Sequence, residues 1–331
     1  MKQRLGWVDV VRCFGIFAIY LGHFGNQAGR ASPFVFTHHV ALFFFISGCL
    51  APRTAMSFFE YLKKIIGDLL VPWLVFAVSS AAFNTIYSNL DLQGFLEQLG
   101  QIARGTIVDH FVAGSLWFLV TLAVMKIVFW FLQKCKSNTI ILAICVLLLI
   151  IEARYPIPKL YNIHRVFRYL IYYALGNTLF PYICRVLSAD TKKKRWGLAF
   201  SGMFSLGYAA IIYFGENPLS ILQGVPYVKY LVTVINAMVV IWSYILVAKV
   251  LENVELFNAI GRNTLYLCGS EYFIRQILKT IIRLVGLEPT YPNPMSACIY
   301  SAIMLYTAYR YLVPIEKRMI AKIKKIPNFL S

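Results

Sequence analysis

Residues 7–25 read WVDVVRCFGIFAIYLGHFG, and this stretch decides the fold. As a helix it rises about 1.5 Å per residue, enough to cross the roughly 30 Å hydrocarbon layer of a bilayer. Asp9, Arg12 and His23 interrupt its apolar character. Ionisable groups inside a span are costly and normally face a partner or a wet cavity. Asp9 and Arg12 are i,i+3 neighbours on a helix, so an ion pair is open to them. Arg12 and His23 are separated by eleven positions. Steps of about 100° bring the later side chain back to almost the same face, roughly 16 Å further along. One stripe therefore carries a cation near one end and an imidazole near the other. From spacing alone two readings stand. Either Asp9 and Arg12 anchor the helix and His23 is an ordinary interface residue, or His23 is a general base, work that suits imidazole near neutral pH.

Further apolar runs follow at 34–52, 65–87, 114–133, 137–153, 165–187, 196–214, 227–250, 257–284 and 292–313. Hydrophobic residues make up 59% of the 331 and charged residues 14%. Soluble domains run nearer half and a quarter. The expected class is all-α integral membrane: a bundle of about ten transmembrane helices forming one membrane-embedded domain over 1–331. The ninth run is interrupted by Arg275, Lys279 and Arg283. Lys2 and Arg4 ahead of the first run mimic a signal peptide, but Asp9 and Arg12 break the apolar stretch and no small-residue cleavage site follows. The first helix is therefore expected to remain uncleaved. The cysteines are odd in number and scattered, with neither metal-ligand spacing nor a disulfide framework.

The net charge of +18 raises the question of nucleic acid. Lys and Arg instead collect in short inter-helix segments and in the tail from Glu316 to Lys325, where they read as orientation charge facing an anionic leaflet. No nucleic-acid partner is expected; the lipid bilayer is. With the N-terminus placed inside, the inside segments together with the parts of the runs next to them hold twenty Lys and Arg and the outside ones, counted in the same way, ten. Both termini are thus expected in the cytoplasm. Four outside cations, Arg154, Lys159, Arg165 and Arg168, gather beside His164. They read either as an interfacial segment meeting headgroups or as a rim holding an anionic saccharide or lipid-linked phosphate.

The run Trp7-Val8-Asp9-Val10-Val11-Arg12, then Gly15-Ile16 and Gly22-His23, resembles the opening of the acyltransferase 3 family of membrane acyltransferases. It is similar in particular to the fucose 4-O-acetylase-like branch. Further similar segments come in the same order: His39 to Gly48 in the second span, Lys63-Lys64 through Pro72-Trp73 before the third, Leu116-Trp117-Phe118-Leu119, and Ile260 to Tyr266. The chain departs from the family in having Val40-Ala41 where Met-Pro is usual, and Glu271 where the late motif often runs into a histidine.

The resemblance implies an acyl-CoA donor, most often acetyl-CoA, reached from the cytoplasm. It also implies a carbohydrate acceptor, often a surface polysaccharide or its precursor, and a place in a bacterial cytoplasmic (inner) membrane. No metal is implied. Arg12, Lys63 and Lys64 are the candidate partners of the coenzyme phosphates, and Trp117 a stacking surface for the coenzyme or a sugar. His23 would take the proton of the attacking hydroxyl, by direct transfer or through an acyl-histidine, with Asp9 holding Arg12. His39, His110, Arg165, Arg168 and Glu271 are candidates for the acceptor side. Each also has a plainer reading: interfacial histidine, loop pair with Asp109, headgroup contact, or an ion pair between Glu271 and Arg275. A transporter or flippase of a saccharide or lipid-linked intermediate is the rival, since its intramembrane charges would look alike. A sensor that has lost the chemistry is a second.

Overall fold

The computed structural model describes residues 4–51, 56–104, 114–188, 191–215, 219, 222, 228–286 and 293–324. All its regular elements are helices, and no strand occurs among the described residues. In chain order they are α1 (Gly6–Gly22), α2 (Ala31–Phe36), α3 (His39–Cys49), α4 (Phe58–Ile65), α5 (Val71–Tyr87), α6 (Leu92–Ala103), α7 (Trp117–Leu132) and α8 (Asn138–Arg154). There follow α9 (Ile163–Leu187), α10 (Lys192–Tyr213), α11 (Val228–Val250), α12 (Glu255–Gly261), α13 (Thr264–Leu284), α14 (Pro294–Thr307) and α15 (Val313–Lys324).

Among the described residues, five helical stretches are long and apolar enough to cross a membrane: Ala31–Cys49, Phe58–Tyr87, Trp117–Cys135, Arg195–Tyr213 and Val228–Val250. Their surface fits that medium. On α10, Trp196, Phe200, Met203 and Phe204 each leave more than 60% of their area uncovered, a face that water would not tolerate but lipid does.

Local chemistry explains several boundaries. Ser57 and Glu60 form a reciprocal capping box at the start of α4, and Asn293 and Ser296 do the same for α14, with Pro294 in the first turn. Wide π-helical turns at Ile66–Leu70 and Ala308–Leu312 lie just ahead of Pro72 and Pro314. A proline cannot donate to the carbonyl four residues back and crowds it, so the preceding turn widens.

The structure alters the expected spans at several places. The run 257–284 is two helices, α12 and α13, broken at Arg262-Asn263. There Asn258 donates to the Glu252 carbonyl (2.8 Å) and Asn263 to that of Ala259 (2.6 Å), competing with a continuous ladder. The last run continues past 313 into α15, whose buried Glu316 accepts a hydrogen bond from Ser270 Oγ on α13 (2.8 Å). Finally, α6 occupies a region where no span was expected: its 12 residues, capped by Asp91, are too few to cross a bilayer.

The buried helix α1 is the hub, packed against α3, α11, α12, α13 and α14. α3 lies in turn on α9. A Cβ on Gly48 would collide with the Tyr173 carbonyl, and one on Gly176 with the Phe45 carbonyl. The two backbones therefore touch directly, the close approach that small residues permit between membrane helices. Gly176→Ala is expected to lower stability by about 1–3 kcal/mol through overpacking, seen as an earlier thermal transition in detergent. An unchanged transition would mean that α3 and α9 separate without cost.

Candidate functional site

Two cavities lie in succession along α1. One, of about 250 Å³, is lined by Arg12, Ile16 and Ile19 of α1, with Lys126 of α7, Arg262 and Thr264 among the others. The second, of about 620 Å³, is lined by Ile19 and His23 of α1, by His39, Trp117, Arg168, Tyr169, Lys229 and Arg275, and by further residues of α3, α9 and α11. Arg12, Ile16, Ile19 and His23 follow at i, i+4, i+7 and i+11, so one face of one helix serves both chambers. Ile19, Phe43 and Phe118 belong to both linings. The rings of Phe43 and Phe118 stand 5.6 Å apart, and Phe44 backs Phe118 at 4.8 Å. These side chains form a septum between the chambers.

His23 is the C-cap of α1. Its Nδ1 lies 2.9 Å from Oε1 of Glu271, a fully buried carboxylate on α13. The same oxygen is 3.4 Å from Nε of Arg275 one turn on, and Arg275 also donates to the His23 carbonyl (3.4 Å). Tyr20 donates to the Leu267 carbonyl (2.8 Å), and Ser115, in the turn Gly114–Leu116, to that of Cys268 (3.1 Å). Thus α13 grips the end of α1 through a carboxylate, a cation and a phenol. With Nδ1 turned to a carboxylate, the imidazole presents Nε2 for other work. A carboxylate placed at one ring nitrogen is an arrangement that can orient a histidine for proton transfer at the other.

The other residues singled out from the sequence are placed unevenly. Asp9 is buried but lines neither chamber; its main partner is Arg4 (2.7 Å), with Arg12 at 3.7 Å. Lys63 and Lys64 are exposed at the end of α4 and also line neither. Trp117 faces the His23 chamber rather than that of Arg12; it stacks on Tyr169 and lies under the Arg165 guanidinium at 3.9 Å. His39 lines the His23 chamber, and its Nδ1–H donates to the Val35 carbonyl (2.6 Å). His38 is buried against Tyr244 and Phe34 and lines neither chamber. Arg168 lines the His23 chamber while paired with Glu152. Glu271 stands behind His23 and is not part of either lining. His110 lies outside the described residues.

Three residues with a place here were given no role from sequence. Lys126 sits within an apolar helix, lines the Arg12 chamber, and pairs with no carboxylate among the described residues. A lone cation within a span is itself a signal of function. Arg262 joins it, tied to Glu255. Lys229 stands at the His23 chamber. Among the described residues no cluster of three His, Cys, Asp or Glu side chains could hold a metal ion.

The acyltransferase 3 family, described as an acyltransferase domain, matches residues 5–312. Neither a curated protein nor a solved structure matches the chain.

Proposed function

Because this chain belongs to the acyltransferase 3 family, and is thus a membrane acyltransferase, we propose that it moves an acetyl group from acetyl-CoA to a carbohydrate hydroxyl, on a surface polysaccharide or its precursor. The observation that carries this reading is His23, held by a buried carboxylate at a roomy chamber and joined by one helix face to a second chamber rich in cations. In this reading the chain crosses the bacterial inner membrane ten times with both termini in the cytoplasm. The two-to-one excess of Lys and Arg in the segments so placed supports that orientation.

The donor's phosphates meet Arg12, Lys126 and Arg262, with Lys63 and Lys64 as the cations first encountered on the way in. Phosphate with Lys or Arg makes charge-assisted hydrogen bonds, stronger than neutral ones. The uncharged pantetheine arm lies along the Arg12–His23 face and brings the thioester past the septum. Trp117, Tyr169 and Tyr172 offer the acceptor sugar apolar faces, and His39 and Arg168 polar contacts. His23 Nε2 takes the proton from the acceptor hydroxyl as its oxygen bonds to the thioester carbonyl carbon. The carbon–sulfur bond breaks and the coenzyme thiolate leaves, receiving that proton from the imidazolium. Glu271 fixes the ring and stabilises its charged form meanwhile. Asp9, which touches neither chamber, keeps Arg4 and Arg12 in place.

The direct test is radiolabel. Label from acetyl-CoA enters the polysaccharide fraction of membranes carrying the protein and stays out of membranes lacking it; equal counts in both would remove the reading. Lys126→Ala is expected to raise KM for acetyl-CoA by about ten-fold or more, the loss of one charged hydrogen bond, with kcat within about two-fold. A fall in kcat with KM unchanged would place Lys126 elsewhere in the cycle.

A further inference from the structure

Attack on a thioester puts negative charge on its carbonyl oxygen before the carbon–sulfur bond breaks. Enzymes that transfer acyl groups meet that charge with a hydrogen-bond donor already in place. His23 and Glu271 manage the proton and leave this oxygen unserved.

Several donors of the His23 chamber are committed elsewhere. The hydroxyls of Thr37, Ser115 and Thr233 donate to the carbonyls of Phe34, Cys268 and Lys229, and His39 Nδ1–H to that of Val35. Arg168 is held by Glu152. Lys229, the tyrosines and Trp117 come from α7, α9 and α11. Among the described residues, no cation other than Arg275 bonds to His23 or pairs with Glu271.

Arg275 lines the chamber from α13, at the same end of α1 as His23. Its Nη1 donates to the His23 backbone carbonyl and its Nε faces Glu271, both at 3.4 Å. N–H···O distances usually centre on about 2.9–3.0 Å, so both contacts are long. A guanidinium carries more N–H groups than these contacts occupy. The side chain is only 22% exposed, and a donor screened from water is worth more to a developing charge than one in water. The charges also balance. During transfer Arg275 is positive, the carbonyl oxygen negative, His23 positive and Glu271 negative, which sums to zero. Before transfer Arg275 and Glu271 already sum to zero, so the buried cluster never carries the cost of an uncompensated charge.

We infer that Arg275 is a further catalytic residue, whose guanidinium donates to the thioester carbonyl oxygen as charge gathers there. This rests on the acyl-transfer reading above and supplies a group that reading lacks. As the acceptor oxygen bonds to the carbonyl carbon, one electron pair of the carbonyl moves onto its oxygen, against Arg275. When the carbon–sulfur bond breaks, that pair returns to the carbonyl, and the coenzyme thiolate leaves with the proton held by His23.

Two radiolabelled donors test this in membranes carrying the full-length protein: acetyl-CoA and its dithioester, in which sulfur replaces the carbonyl oxygen. Sulfur is a weak hydrogen-bond acceptor, so a protein that relies on a donor at this atom works more slowly with the dithioester. Wild type is expected to label the polysaccharide fraction at least about ten-fold faster from acetyl-CoA. Arg275→Met should lower kcat with acetyl-CoA by about 10²–10³-fold, the usual loss for one such donor, and leave KM within about two-fold. It should also bring the two donors within about three-fold of each other. Arg275→Lys, which keeps a charged donor, should recover part of the rate and part of the oxygen preference. An Arg275→Met protein that is slow yet keeps the wild-type preference overturns the inference and makes Arg275 a positioning residue acting through His23 and Glu271. Full rate in that variant, or a wild type indifferent to the two donors, also overturns it, with acyl transfer left standing. Should the methionine protein not fold, Arg275→Lys decides: an oxygen preference equal to that of wild type overturns the inference. No label from acetyl-CoA with wild type removes the transfer reading and the inference together.

Discussion

Changing His23 to glutamine is expected to cut acetyl transfer by about 10²–10⁴-fold, the share general base catalysis usually supplies, with the protein still inserted and folded. Glutamine fills similar space and can still meet Glu271 through its amide, so the clamp between α1 and α13 survives while the proton acceptor is lost. The measurement is label passed from acetyl-CoA to the polysaccharide fraction, compared at equal protein level with wild type. A residual rate of a few per cent or more would remove His23 from the chemistry. KM for acetyl-CoA should move little if, as proposed, the donor's charged end is held in the other chamber, which Arg12, Lys126 and Arg262 line.

The second large effect is expected at Glu271. Its carboxylate touches His23 Nδ1 and Arg275 Nε from a position with no exposed surface. Glu271→Gln keeps the shape and removes the charge, so the imidazole loses the group that fixes its tautomer and steadies its protonated form. A fall in kcat of roughly 10²–10⁴-fold is expected, by analogy with the loss seen when the orienting carboxylate of a serine-protease triad is neutralised. Glu271→Ala should do something different as well. It leaves Arg275 without its carboxylate, and breaking a buried pair costs about 3–5 kcal/mol. Thermal unfolding in detergent would separate the two: glutamine also takes the charge from Arg275 but keeps a hydrogen-bond partner there, so it should fall less than alanine, which leaves neither. If Glu271→Gln kept full kcat, the carboxylate would be a structural clamp alone.

The sharing of one face by Arg12 and His23 was legible in the sequence because helical periodicity is local arithmetic, needing nothing from the rest of the chain. The same holds for the long apolar stretches Ala31–Cys49 and Val228–Val250. What lay beyond reading was contact between distant segments. Glu271 was visible as a partner for Arg275 one turn away, but nothing local joins it to His23 on a helix at the other end of the chain. Asp9 was read with Arg12 by helical spacing, whereas Arg4, just ahead of α1, reaches it more closely. Trp117 sits in an aromatic motif that does not say which chamber it faces; Tyr169 and Arg165, which hold it, come from α9. Lys63 and Lys64 looked like donor contacts because charge is conspicuous in an apolar chain, while Lys126, deeper and single, was passed over. Helix α6 was missed because its 12 residues fall short of any span.

The septum of Ile19, Phe43 and Phe118 has an electrical consequence. Two wet chambers joined end to end through a membrane protein would short-circuit the bilayer, letting protons run down their gradient. An apolar partition between them insulates, and most of the transmembrane voltage then falls across it. Moving one elementary charge through that drop costs about 2.3 kcal/mol per 100 mV. In the proposed reaction the thioester, at the end of its neutral arm, crosses without electrical work, while the donor phosphates stay where they are. The membrane potential thus neither drives nor resists the transfer, so the reaction should run equally well in energised and de-energised cells.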